Sequence, residues 1–171
     1  MTRNKYLSII TLNLNGLIAP TKRHRIAEWI RNHNPHICCL QETHHRTKDL
    51  HRLKVKGWKQ ILQGNRQEIK VRVAILTSEK IDIKKWIIKG DLEGHFIILK
   101  GINHQEDINI VNIYAPNIGA PNYIRKILED FKKDIDSNTI RVGDFNTPLS
   151  KMDRFSKQNI NKDCDIEQRP R

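Results

Sequence analysis

Apolar residues along this chain fall into short runs, rich in Ile, Val, Leu and Thr, separated by longer polar stretches. The runs are Leu7–Leu14, Ile37–Leu40, Val73–Leu76, Phe96–Leu99, Ile108–Tyr114 and Thr139–Val142. Branched and aliphatic side chains pack well on a pleated surface, so all six predict strands. Between the first two, Ile26, Ala27 and Ile30 share one helical face. Thr21 stands where an N-cap would, and His33-Asn34-Pro35 closes the segment. A second helix is predicted from about Asn122 to Asp136. There Ile124, Ile127, Leu128, Phe131 and Ile135 stand at offsets 0, 3, 4, 7 and 11, with charges elsewhere. Strands that need covering and helices able to cover them make an α/β layered domain the economical architecture. The periodicity fades from Ser150 onward, and no repeat or Gly/Ser/Pro linker divides the chain.

The polar residues at the ends of these runs carry the chemistry, because ligands of layered α/β proteins gather at strand ends. The first run contains Asn13 and leads into Asn15-Gly16, and the second leads into Gln41-Glu42-Thr43. The fifth ends Asn112-Ile113-Tyr114, and the sixth leads into Gly143-Asp144-Phe145-Asn146. Any one of these is an ordinary strand exit; all four in this order are not. Two carboxylates with amides and a phenol are hard oxygen donors, suited to Mg²⁺ or Mn²⁺ and poorly suited to zinc. Such a cation beside a carboxylate or amide that orients water is the combination phosphodiester hydrolysis needs. His44, His45 and His51 lack a Cys pair or second His pair to complete a tetrahedral zinc site, and read as exposed loop residues.

Charge narrows the partner. The chain has 31 Lys+Arg against 19 Asp+Glu, a formal net charge of +12 that draws polyanions through counterion release, so nucleic acid is the expected polyanion. Lys22, Arg23 and Arg25 follow closely on the Asn13 strand end and are candidate contacts to DNA phosphates. Lys54 and Lys56, like Lys132 and Lys133, read as solvated faces. Cys38, Cys39 and Cys164 show no disulfide or zinc-knuckle spacing, which fits a reducing, intracellular compartment. Cys38 and Cys39 lie inside an apolar run, where a thiol packs as a small hydrophobe. No apolar segment approaches the ~20 residues that cross a bilayer, so no membrane association is expected.

The chain resembles the endonuclease/exonuclease/phosphatase superfamily, which includes DNase I, exonuclease III and the apurinic endonucleases. Within it, the chain is most similar to the endonuclease domain that opens the second open reading frame protein of mammalian LINE retrotransposons. The blocks that carry the likeness are Thr11–Gly16, Lys22–Arg25, Gln41–His44, His51–Trp58, Glu93-Gly94-His95, Asn112–Pro121, Gly143–Leu149 and Asn161–Asp163. The resemblance implies an incomplete four-layer α/β/β/α sandwich of the DNase I-like type. It also implies that Glu42 is the metal ligand with Asn13 supporting it, that Tyr114 hydrogen-bonds the scissile phosphate, and that Asp144 and Asn146 position and activate the water. The implied cofactor is Mg²⁺, with Mn²⁺ a substitute. The implied activity is nicking of target DNA for target-primed reverse transcription, with a reverse transcriptase following in the intact element, in nucleus and cytoplasm.

Two departures shape the expectation. Arg72 stands where the family usually has a glycine, and a positive φ there would be strained. The family's later Ser-Asp-His block, and an Asp before a His upstream of it, do not follow Asn146; no histidine follows His104. The sequence therefore reads as a partial domain over 1–163 with a divergent tail over 164–171. This leaves a second expectation, a catalytically inactive, basic nucleic-acid-binding remnant. A third, a phosphoinositide or sphingolipid phosphodiesterase, is disfavoured by the LINE-type wording.

Overall fold

A computed structural model describes residues 6–46, 53–61, 70–91, 93–103 and 106–147. The proposed boundary at 163, the tail 164–171, Cys164, His51 and the Asn161–Asp163 block lie outside them. The elements in order are β1 (Ile9–Asn13), α1 (Pro20–His33), β2 (Ile37–Arg46), β3 (Trp58–Ile61), β4 (Lys70–Ser78), β5 (Ile83–Gly90), β6 (Phe96–Asn103), β7 (Glu106–Tyr114), α2 (Ala120–Asp130) and β8 (Thr139–Asp144).

The strands form two four-stranded sheets, ordered β1-β2-β4-β3 and β5-β6-β7-β8. Each sheet has one parallel pair, β1 with β2 and β7 with β8, and the remaining pairs are antiparallel. A parallel pair needs a crossover, and α1 and α2 supply the two. Side-chain alternation then builds three apolar layers. Ile37, Cys39, Val73 and Ile75 meet Ile97, Leu99, Ile108 and Ile110 between the sheets. Cys38, Leu40, Ala74 and Leu76 face the other way and pack with Ile26, Ala27 and Ile30 of α1. Ile98, Val111 and Ile113 pack with Ile124 and Ile127 of α2. The described residues thus form an α/β/β/α sandwich, as the sequence led one to expect. Cys38 and Cys39 are both fully buried, and burial pushes each thiol pKa up to about 12, with Cys38 adding to the effect on Cys39. No helix among the described residues is long and apolar enough to cross a membrane.

All six predicted strands are present, but the sequence pattern missed β3 and β5. Both are edge strands. β3 has only four residues, and β5 is rich in lysine with its register broken between Lys84 and Ile87. Thr21 is not a cap: α1 starts at Pro20 behind Ala19, which makes no side-chain cap bond. Proline is tolerated in the first turn because its missing N–H has no intrahelical partner there. The same tolerance lets α2 begin at Ala120 ahead of Pro121, and regular helix ends at Asp130. Phe131 and Ile135 still pack on the α2 layer from the turn that follows. Arg72 lies within β4 and is not among the positive-φ residues. The expected strain is absent because this strand needs no left-handed residue at that point.

Candidate active site

Topology brings the four polar strand ends together. Parallel pairing places Asn13 beside Gln41 in one sheet and Tyr114 beside Asp144 in the other. β8 also approaches β1 and β2 across the sandwich. A fully buried clasp ties the sheets at this end. The Asn112 side chain projects between them, its amide donating to the carbonyls of Leu40 (3.1 Å) and Ala74 (3.0 Å), while its oxygen accepts from Gln41 Nε2 at 2.7 Å. Gln41 Nε2 also reaches Thr11 Oγ1 at 3.0 Å. A buried polar group that satisfies its bonds this way rigidifies its surroundings.

Just past this clasp β2 is irregular, with a register shift between Gln41 and His45. Glu42 and His44 both take left-handed backbone, at φ 49°. Such conformations cost a non-glycine residue about 1–3 kcal/mol and persist where the surroundings hold them. Here the β1–α1 loop holds them: Leu14, Gly16 and Leu17 donate to the carbonyls of Gln41, Glu42 and Thr43. The bulge re-aims Glu42 off the sheet and toward Asn13.

Asn13 Nδ2 donates to Glu42 Oε1 at 3.0 Å and to Asp144 Oδ2 at 2.6 Å. One amide therefore bridges a carboxylate from each sheet. Its orientation is fixed from the other side, where Asn13 Oδ1 accepts the Asn15 amide at 3.0 Å. Asp144 is held in turn, with Oδ1 accepting the Asn146 amide at 3.1 Å and its backbone oxygen accepting the Ala115 amide. Asn146 has φ 45°, and its side chain donates to the Ala115 carbonyl at 2.6 Å. Tyr114 is buried except for a slight exposure, and burial raises its hydroxyl pKa. The charges of Glu42 and Asp144 add to that rise, and Arg72 opposes it. His44 Nε2 lies 3.6 Å from Glu42 Oε2, an ion pair whenever the imidazole is protonated.

The five residues expected to be catalytic thus lie at one end of the sandwich, with Asn13, Glu42 and Asp144 in direct contact. The basic group divides. Lys22 Nζ donates to the Asn15 carbonyl, and Arg23 donates to those of Leu17 and Ile18, so both brace the loop after Asn13. Arg25 is exposed on α1. His44 was read as a loop histidine. It is exposed, but it lies within the irregular end of β2 and faces Glu42. Arg72 also belongs to this end, its guanidinium carbon 6.0 Å from the Tyr114 ring centroid. Polar residues inside apolar runs, such as Asn112, were the available signal for the clasp.

A model of the endonuclease/exonuclease/phosphatase family matches residues 10–169. The chain belongs to this family. Among its relatives is the Transposon TX1 uncharacterized 149 kDa protein of Xenopus laevis, 28% identical over 153 residues; the match covers 86% of this chain and only 12% of that protein. Solved structures share the fold. The endonuclease domain of TRAS1, a telomere-specific non-LTR retrotransposon, matches with a TM-score of 0.59 at 15% identity, over 84% of this chain and 60% of that one. D. rerio TDP2 complexed with single strand DNA product matches with a TM-score of 0.62 at 16% identity, over 83% and 61% respectively.

Proposed function

We propose that this chain carries a divalent-cation-dependent phosphodiester hydrolase site that nicks DNA. The observation that carries the reading is the Asn13 amide bridging Glu42 and Asp144, one carboxylate from each sheet. Like charges placed together favour a cation between or beside them. Among the described residues no group of three or more His, Cys, Asp or Glu gathers into a metal cage. The Glu42 and Asp144 carboxylates with the Asn13 amide oxygen fit Mg²⁺, which is commonly held by one or two carboxylates with water and substrate phosphate completing its shell. Glu42 would hold the ion, supported by Asn13, and the bound ion would neutralise charge developing on the phosphate.

The chain's own groups supply the rest. Asn13 keeps the two carboxylates in register and offers a second lone pair on Oδ1. Asp144, fixed by Asn146 and Ala115, accepts a proton from the attacking water, while Asn146 orients that water. The Tyr114 hydroxyl, a phenol that keeps its proton at neutral pH, donates to a phosphate oxygen. The net charge of +12, with Arg25 exposed on α1, suits a DNA backbone. Likeness to a transposon protein and to a retrotransposon endonuclease domain supports the narrower role, nicking target DNA to prime reverse transcription.

The test is conversion of supercoiled plasmid to open circles by the purified, folded chain, with Mg²⁺ and with a chelator. Metal-dependent nicking that falls about 10²–10⁴-fold in Asp144→Asn supports the reading. Folded protein that retards DNA but leaves the plasmid supercoiled would contradict it and assign the chain to the non-hydrolytic, nucleic-acid-binding class.

A further inference from the structure

Arg72 is an unusual group for this end of the sandwich to hold. Its backbone N–H donates to the Gly94 carbonyl, which docks the start of β4 against the turn before β6. Its guanidinium lies by the face of Tyr114, the residue already assigned to the phosphate. Its Nε is buried and has no hydrogen-bond partner. A buried donor on a charged group is costly to leave unsatisfied, and a bound water or anion is one way such a group is satisfied in a native structure.

The nearby polar groups do not answer it. Asp91 and Glu93 are the carboxylates of this region: Glu93 faces His95 Nδ1 at 3.4 Å, and the Asp91 oxygens already accept the amides of His95 and Phe96, His95 Nδ1 at 3.0 Å and the Tyr123 hydroxyl at 3.4 Å. That ring of donors holds the Asp91 carboxyl below its ordinary pKa, against the push of burial. Among the described residues, no carboxylate forms an ion pair with Arg72. A cation with an unused buried N–H and a phenol beside it is complementary to an oxyanion. The guanidinium is planar, always charged and matched to phosphate geometry.

We infer that Arg72 makes the Tyr114 end of the sheets an oxyanion-binding site, its guanidinium donating to a non-bridging oxygen of the phosphodiester held by the Tyr114 hydroxyl. The assignment of that oxyanion to a DNA phosphodiester rests on the hydrolase reading; the presence of an oxyanion site does not. Arg72 acts by positioning the phosphate and placing positive charge beside it.

The test is titration of the folded chain with dimethyl phosphate at constant ionic strength, following the Arg72 side-chain Nε–H resonance by ¹⁵N-correlated NMR. The resonance is assigned by its loss in Arg72→Lys. A saturable shift is expected, together with affinity reduced about tenfold in Arg72→Gln and by less in Arg72→Lys, as removal of one charge-assisted bond implies. Glu42→Gln, which removes a repulsive carboxylate, is expected to bind dimethyl phosphate at least as tightly as the natural chain while losing nicking. Arg72-dependent binding in a chain that never nicks would sink the hydrolase reading and leave the oxyanion site standing. An Nε–H that does not respond, or equal affinity in the natural chain and Arg72→Gln, would overturn the site itself.

Discussion

Replacing Asn112 with leucine tests whether the two sheets are held in register by a polar clasp or by apolar packing alone. The side chain is fully buried and makes three hydrogen bonds, to Leu40, Ala74 and Gln41. A buried bond contributes about 1 kcal/mol net, and a partner left buried without it costs about 1–3 kcal/mol. Gln41 Nε2 keeps Thr11, and each carbonyl has a second lone pair, so the lower end of that range applies. Leucine has the same branched skeleton and recovers part of the loss by apolar burial. A net destabilisation of about 2–4 kcal/mol is expected in urea unfolding followed by circular dichroism. Gln41→Leu alone and in combination gives a double-mutant cycle, in which a coupling above about 0.5 kcal/mol is expected for residues in direct contact. Since Gln41 immediately precedes the bulge that aims Glu42, nicking is expected to fall in Asn112→Leu under conditions where the protein remains folded. A stability loss under about 0.5 kcal/mol with no coupling would refute the clasp.

Gly143→Ala is expected to destabilise severely, because an added Cβ would lie 1.9 Å from the Ile113 carbonyl oxygen and the residue has φ 145°. Conformational strain of about 1–3 kcal/mol adds to the displacement of β7 or β8, and a normal urea midpoint would show that the strands yield without penalty. The hydrogen bonds to Asp91 predict acid sensitivity with a defined sign. Its pKa lies below the ordinary value of 3.8 in the folded state, so its stabilisation is complete above about pH 4 and is lost as pH falls through the folded value. Asp91→Asn is therefore expected to lower stability at neutral pH and to flatten its decline below about pH 4; an unchanged acid slope would contradict this.

The core was legible because its signal is local. Six strands and both helices announce themselves through aliphatic periodicity, and the alternation of Cys38, Cys39 and Leu40 between two apolar layers follows from the pleat. The edge strands β3 and β5 were not legible, since β3 has only four residues and lysines and a register break interrupt the pattern of β5. The site was legible as a set of strand ends but not as a geometry. Nothing local in Gln41-Glu42-Thr43-His44 shows that two of these residues turn left-handed, a choice imposed by the β1–α1 loop. Likewise Arg72 read as a misfit for a glycine position, whereas its meaning comes from Tyr114 and Gly94, which are distant in sequence. Long-range contacts of this kind leave no periodic trace.

In the proposed site Glu42 and Asp144, joined by Asn13, act as one hydrolytic unit. Single-turnover nicking of an end-labelled duplex in Mg²⁺ by the natural chain, Glu42→Gln, Asp144→Asn and the double variant measures this most directly. Residues that act as a unit are strongly non-additive, so the double variant is expected to be about as slow as the slower single variant. Nicking that survives in either single variant at the natural rate, or losses that multiply in the double, would contradict a single site built across the two sheets.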